Sequence, residues 1–228
     1  MIKVRILIVV SIFGLFAAGI KAEPRDGWEL AFYLGTSFSK NETLTIKQEG
    51  FPDITLKDVE FETRPFDSPP YYGIRLGKWR NGRAWEVEHI HQKIYVDELP
   101  ADVQHFEITD GYNLFLFNRA WQLKKYGLNT RLGIGPVIAH PQITVRKMTN
   151  HKSGGGAIPM IWDSDSGYQW AGAGVQAGLE KEFRLNNNWL LSIEGKLSHA
   201  NADIDIAGGS VNVPNTAIHL VGGIKYDF

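Results

Sequence analysis

Ala171-Gly172-Ala173-Gly174-Val175-Gln176-Ala177-Gly178-Leu179-Glu180-Lys181-Glu182-Phe183 alternates with period two. Ala171, Ala173, Val175, Ala177 and Leu179 form an apolar set, while Gly172, Gly174, Gln176, Gly178 and Glu180 form a small or polar one. Successive side chains of a strand point to opposite faces, whereas a helix would repeat at three and four. The pattern recurs. In 189–199, Leu191, Ile193 and Leu197 oppose Ser192, Glu194 and Lys196, and in 128–139, Leu132 and Ile134 oppose Arg131, Gly133 and Gly135. With 27–38, 71–79, 84–95, 105–121, 168–183 and 216–228, this predicts eight strands.

The connections alternate in length. Segments 80–83, 122–127 and 184–188 are short, whereas 39–70, 96–104, 140–167 and 200–215 are longer and polar. Short turns on one side and long loops on the other mark a transmembrane barrel. The predicted fold is all-β: an eight-stranded antiparallel transmembrane β-barrel of the outer membrane, with short periplasmic turns and long extracellular loops. Loop 39–70 has length for its own hairpin, from 43–47 and 54–59, and Ser153-Gly154-Gly155-Gly156 reads as a loop tip.

The sign of the alternation decides what the barrel is for. Eight strands enclose room only for side chains. An apolar interior would make a lipocalin-like carrier, but the set opposite the apolar one is glycine, amide and charge. That set is predicted to face the lumen, in a network of paired Glu with Lys or Arg, because unpaired buried charge is costly. On this reading arginine at Val175 or Ile193 is severe, and Gln176→Glu is milder.

The chain opens with Lys3 and Arg5, an apolar run over 6–20, then Lys21-Ala22 before polar residues. This is the layout of a signal peptide, predicted as residues 1–22, with the barrel domain at 23–228. Removing it takes three basic residues and leaves 21 Lys+Arg against 25 Asp+Glu, a formal charge of −4. No nucleic-acid partner is expected of such a surface. There is no cysteine, hence no disulfide, no thiol nucleophile and no lipoprotein anchor. At the other end, Phe228, Tyr226, Ile224, Leu220 and Ile218 share one parity. This resembles the C-terminal signal read by the bacterial barrel assembly machinery, the expected partner of Phe228. The expected location is the outer membrane, and the expected state a monomer.

No Gly-x-Ser-x-Gly, phosphate-cradling loop or His-Glu-x-x-His occurs. The histidines are more informative: the topology puts His89, His91, His105, His140, His199 and His219 near the outer ends of strands. The densest chemistry lies in Glu88 and His91-Gln92-Lys93-Ile94-Tyr95, and in Phe106 to Leu114 with Asp110 and Asn113. A symmetric hairpin would set Tyr95 opposite His105 and His91 near Thr109 and Asp110. By simple alternation His91 shares a face with Val87, towards lipid, unless a bulge intervenes.

Pro69-Pro70-Tyr71-Tyr72-Gly73-Ile74-Arg75, His91-Gln92-Lys93-Ile94-Tyr95 and Thr109-Asp110-Gly111-Tyr112-Asn113-Leu114 together resemble the lipid A oxidase family of outer-membrane barrels. The resemblance spans most of the mature chain, departing at Glu88, where aspartate is usual, and at His89, where an apolar residue is usual. It implies an eight-stranded barrel acting on lipid A, the family being proposed to oxidise the proximal glucosamine with molecular oxygen. The candidate catalytic residues are His91, Asp110 and Asn113, with Arg75, Glu88 and Lys93 as candidate substrate-binding residues. His91 or Asp110 would exchange a proton with a sugar hydroxyl, and Lys93 would meet a phosphate. The sequence names no metal and no cofactor. Ser198-His199-Ala200-Asn201-Ala202 departs from the His-x-Ser-Asn-Ala of lipid A deacylases at both catalytic positions, which argues against that chemistry. The rival reading is a non-catalytic surface barrel; a pore is disfavoured by the packed lumen.

Overall fold

The structure, a computed structural model, describes residues 24–150 and 167–228, with Asn150 described in its backbone only. The expected signal peptide and the Gly-rich tip at 153–156 lie outside the described residues. The strands are β1 (Gly27–Ser39), β2 (Glu42–Gln48), β3 (Ile54–Val59), β4 (Tyr72–Arg80), β5 (Arg83–Tyr95), β6 (Val103–Leu123), β7 (Leu128–Ala139), β8 (Gln142–Val145), β9 (Met148–Asn150), β10 (Gln169–Arg184), β11 (Trp189–Ile206) and β12 (Gly209–Asp227). Eight form the wall, in the order β1-β4-β5-β6-β7-β10-β11-β12. The ring closes because β12 pairs back on β1, from Glu29↔Asp227 to Ser39↔Ala217. The eight-stranded antiparallel barrel read from the alternation is therefore present, with the expected hairpin β2–β3 joined to the upper end of β12.

The short turns follow local rules. β4 and β5 meet at Arg80↔Arg83 through Asn81-Gly82, whose φ angles are 52° and 73°. Two left-handed residues in a two-residue loop match the right-handed twist of paired strands, and Asn-Gly adopts them at least cost.

Leu30, Phe32, Leu34, Ile74, Leu76, Val87, Phe117, Leu132, Ile134, Val175, Leu191 and Ile224 all stand exposed on the outside of the ring. A band this wide would aggregate in water, but it suits a hydrocarbon solvent. Trp28, Trp85, Tyr126, Trp189 and Phe228 are exposed near the short-turn end, where an aromatic girdle belongs.

The lumen holds the charges. Arg75 lies 2.9 Å from Glu180, 2.9 Å from Glu194 and 3.2 Å from Glu88. Arg131 meets Glu86 at 3.0 Å and Glu180 at 2.9 Å, and also pairs with Glu194. Lys196 pairs with Glu88, and Lys225 with Glu29, Glu180 and Glu182. Glu88 also accepts hydrogen bonds from Tyr33 at 2.6 Å and Asn118 at 2.8 Å. Arg25 extends the network at the short-turn mouth, to Glu182 at 2.6 Å and to Asp227. Among the described residues these pairs fill the lower lumen. They also revise one expectation: the Gln176 amide donates to Glu88, so Gln176→Glu would set two carboxylates together rather than being mild.

Higher up, the alternation reverses. Lys196 and Ser198 face inward on β11 with Leu197 outward, but beyond them Ala200, Ala202, Ile204 and Ile206 are buried and Asn201, Asp203 and Asp205 exposed. The buried residues join Val211, Val213, Leu44, Ile46, Ile94, Val103, Phe106, Ile108 and Ile143 in one apolar core. Above the membrane the wall meets water outside and must bury apolar groups inside, so the change of sign marks the boundary. It also explains why β11 and β12 outrun their expected ends at 199 and 216. Their outward polar residues resemble a loop when only the lipid-facing pattern is sought. In β10, a register shift between Trp170 and Gly172 turns Ala171 inward, off the apolar face assigned to it.

Candidate functional site

Strand pairing fixes where each candidate residue points. Val87 opposes Phe117, His89 opposes Phe115 and His91 opposes Asn113, while Glu88, Ile90 and Gln92 face Leu116, Leu114 and Tyr112 inside. Residues directly opposite one another share a face. His89, His91 and Asn113 therefore sit on the outside of the barrel, with Tyr72 opposite His91 on β4. The register then shifts between Gln92 and Ile94, because residues 109–111 of β6 oppose Lys93 alone. Tyr95 consequently opposes Glu107, not His105, and His91 opposes Asn113, not Asp110. The bulge belongs to β6, so β5 keeps its phase and His91 keeps its outward aim.

The geometry is compact. Asn113 Oδ1 lies 3.0 Å from His89 Nε2 and 3.0 Å from His91 Nδ1. With the amide oxygen between them, each imidazole donates through that nitrogen. His91 then carries its proton on Nδ1 and a lone pair on Nε2. Tyr72 stacks on His91 with ring centroids 5.0 Å apart and planes 21° apart. Phe115 stacks on His89 at 4.5 Å. Within this cluster, His91 Nε2 and Asn113 Nδ2 are buried and have no hydrogen-bond partner among the described residues. His91 is 3 % and Asn113 0 % exposed. Such atoms cost roughly 1–3 kcal/mol each when left unmatched, so a ligand that paired them would recover that energy.

A second group adjoins through the bulge. Asp110 Oδ2 lies 3.2 Å from His140 Nδ1, and the His140 backbone donates to the Gly111 carbonyl at 3.1 Å. The Tyr168 hydroxyl donates to the Asp110 carbonyl at 3.1 Å, and its ring lies 4.7 Å from that of His140. Burial, with the Asp110 charge as a lesser cause, pushes the Tyr168 hydroxyl up to about 12, so it stays a donor at neutral pH. Lys93 Nζ donates to the Asp67 carbonyl at 2.9 Å and to Tyr95 Oη at 3.3 Å. Among the described residues no carboxylate lies within ion-pair distance of that ammonium. Nor do they form a cluster of three or more His, Asp or Glu spaced to hold a metal.

Gly111 makes the arrangement possible. Its φ is +125°, and a Cβ there would overlap the Asn113 side chain. Gly111→Ala is expected to displace Asn113 while the barrel still closes. Side-chain nitrogen NMR of labelled histidine would show it as altered His89 and His91 tautomer signals. Unchanged signals would mean that Asn113 does not fix the rings.

The six residues singled out in the sequence thus divide. His91, Asn113 and Lys93 share the outer face of one hairpin, and Asp110 adjoins them. Arg75 and Glu88 lie inside the lumen network, on the opposite face of the wall, apart from the cluster. Tyr72, His89, His140 and Tyr168 were not among those six. Their signal was polar residues at lipid-facing parity, visible at His89 and His91. The histidines do not form one ring: His199 is exposed, whereas His219 is in the lumen, between Tyr71 Oη at 2.8 Å and Ser198 Oγ at 2.7 Å.

No protein-family model matches the chain, and no curated protein matches it. Solved structures with a similar backbone path include the outer membrane protein AlkL, determined in lipid bilayers, at 13% identity, TM-score 0.46, covering 92% of this chain and 94% of that one. OprG from Pseudomonas aeruginosa is similar at 11% identity and TM-score 0.44, covering 92% of this chain and 99% of its own. Ail, the attachment invasion locus protein of Yersinia pestis, is similar at 9% identity and TM-score 0.42, covering 88% and 99%.

Proposed function

We propose that this is an exported outer-membrane barrel that binds lipid A in the outer leaflet through the cluster on β4–β6 and acts on its sugar. One observation carries the reading: His91 Nε2 and Asn113 Nδ2 are buried polar atoms at outward parity with no hydrogen-bond partner among the described residues. Buried polar atoms left unmatched are costly and point to a ligand that pairs them. The resemblance to the lipid A oxidase family supplies the substrate class, and molecular oxygen is the oxidant in the reaction proposed for that family. His91 Nε2 would take the proton of a sugar hydroxyl. Asn113 Nδ2 would donate to a neighbouring substrate oxygen, and Lys93 would meet a phosphate as a point charge. Asp110 would orient His140 and brace the bulge. Arg75 and Glu88 would act through the lumen, holding β4 and β5 in register.

The test is mass spectrometry of lipid A from cells with and without the gene, then with His91→Ala and Asp110→Asn barrels verified as folded. A gene-dependent mass change lost in His91→Ala supports the reading. No gene-dependent change would favour the non-catalytic surface barrel, and a change retained in both variants would move the chemistry elsewhere.

Residence in the outer membrane has its own test. The Phe228 backbone exchanges two hydrogen bonds with Trp28, each 2.9 Å, at the seam of the closed ring. Deleting Phe228 is expected to reduce assembly several-fold, read as heat-modifiable mobility of outer-membrane fractions. Mature protein found soluble in the periplasm would end the barrel assignment.

A further inference from the structure

We infer that the His89–His91–Asn113 cluster is a lateral site, reached from the outer leaflet by displacing the Tyr72 ring, whose ligand arrives while still embedded in the bilayer. The inference rests on the lipid A reading for the ligand's identity, but its direction of access stands on geometry.

Three observations fix that direction. The cluster has outward parity, in one row with Tyr72, Asn113, Ile138 and Trp170 on adjacent strands; His91 and Asn113 are buried there, and the half-buried Tyr72, His89 and Phe115 are the partly exposed members of the group. The lumen behind it is filled, among the described residues, by the ion network below and the apolar core above. Its height is also set. On β5 the inward residues change from Glu86 and Glu88 to Ile90 as the outward ones change from Trp85 and Val87 to His89 and His91. That reversal marks the membrane boundary. Six residues of a tilted strand above Trp85 correspond to roughly 15 Å, in the upper part of an apolar band about 25 Å tall.

A molecule meeting this cluster therefore has its polar–apolar junction there, with acyl chains against Val87, Phe117 and Ile134 below. The matching chemistry is an acylated sugar or amide that presents an acceptor to Asn113 Nδ2 and a hydroxyl to His91 Nε2. The Tyr72 ring, stacked on His91, is the group that such a ligand displaces. A water-soluble head group without acyl chains would have to leave water to reach the same atoms, so it is a poor ligand.

The chain has no cysteine, so single-cysteine spin labels report cleanly. Phe115 stacks on His89 but makes none of the cluster's hydrogen bonds, so Phe115→Cys places a label beside it; Leu132→Cys marks the wall and Ala101→Cys the exposed loop. In the full mature barrel in bilayers, collisions with oxygen at position 115 should exceed those with a water-soluble nickel chelate. The ratio should be several-fold above that at 101 and near that at 132. A ratio like that at 101 would overturn lateral access. Lipid A added to the same bilayer should immobilise the label at 115 but not at 132, whereas its deacylated, phosphorylated disaccharide in solution should not. Immobilisation by the soluble disaccharide at equal concentration would overturn lateral access and leave lipid A as the ligand. A lipid-side collision ratio with no response to either compound would support the lateral opening and overturn lipid A.

Discussion

Arg131→Met is expected to destabilise the barrel by about 3–5 kcal/mol, the cost of breaking a buried ionic network from one side. Arg131 touches Glu86, Glu180 and Glu194, all essentially inaccessible to solvent. Removing it leaves three carboxylates in the lumen sharing Arg75, Lys196 and Lys225. Methionine fills much of the vacated volume, so the loss is electrostatic rather than a cavity. Urea-driven unfolding from bilayers would read it as a lowered midpoint with an unchanged slope. A change within about 0.5 kcal/mol, the range of ordinary surface substitutions, would show that the network is not tightly built.

Ile134→Arg is expected to cost roughly 2–4 kcal/mol, the penalty for a cation on a lipid-facing strand near the midplane. Ile134 is 61 % exposed and pairs across the ladder with Phe117 and Val175, both outward. Val175→Arg and Ile193→Arg should behave alike, whereas Asp203→Arg, on the exposed outer face of β11 above the boundary, should be nearly neutral. The contrast is the informative part. Equal tolerance at 134 and 203 would mean that the band does not meet hydrocarbon.

Most of the ring was legible because lipid and lumen impose opposite demands on alternate residues. Val175, Ile193 and Ile134 against Gln176, Glu194 and Arg131 declare both the strand and its sign. The extensions of β11 and β12 were not legible by that rule, since above the membrane the demand reverses and Asn201, Asp203 and Asp205 read as loop. Ala171 departs from the alternation for a local reason: one extra residue beside Trp170 shifts the parity, and nothing in Trp-Ala-Gly announces a bulge. At the candidate site, His91, Asn113 and Lys93 were found by chemical type and proximity in sequence. Arg75 and Glu88 share those segments in sequence, but one residue of phase separates Glu88 from His89 and sends it through the wall. The bulge at 109–111 decided the pairing of His91 with Asn113. Its only sequence trace is Asp110-Gly111, which reads equally well as a turn.

The ring is filled with paired charge and faces lipid with its apolar set, the histidine–asparagine cluster lying at the upper edge of that face. Solid-state NMR with magnetisation transferred from acyl-chain protons to the labelled barrel in bilayers tests it directly. Transfer is expected at Leu132, Ile134, Val175 and Ile193 and, at the upper edge, Phe115 and His89, with none at Glu88, Arg131 or Glu180. Transfer reaching Glu88 and Glu180, or absent from Ile134 and Val175, would contradict the account.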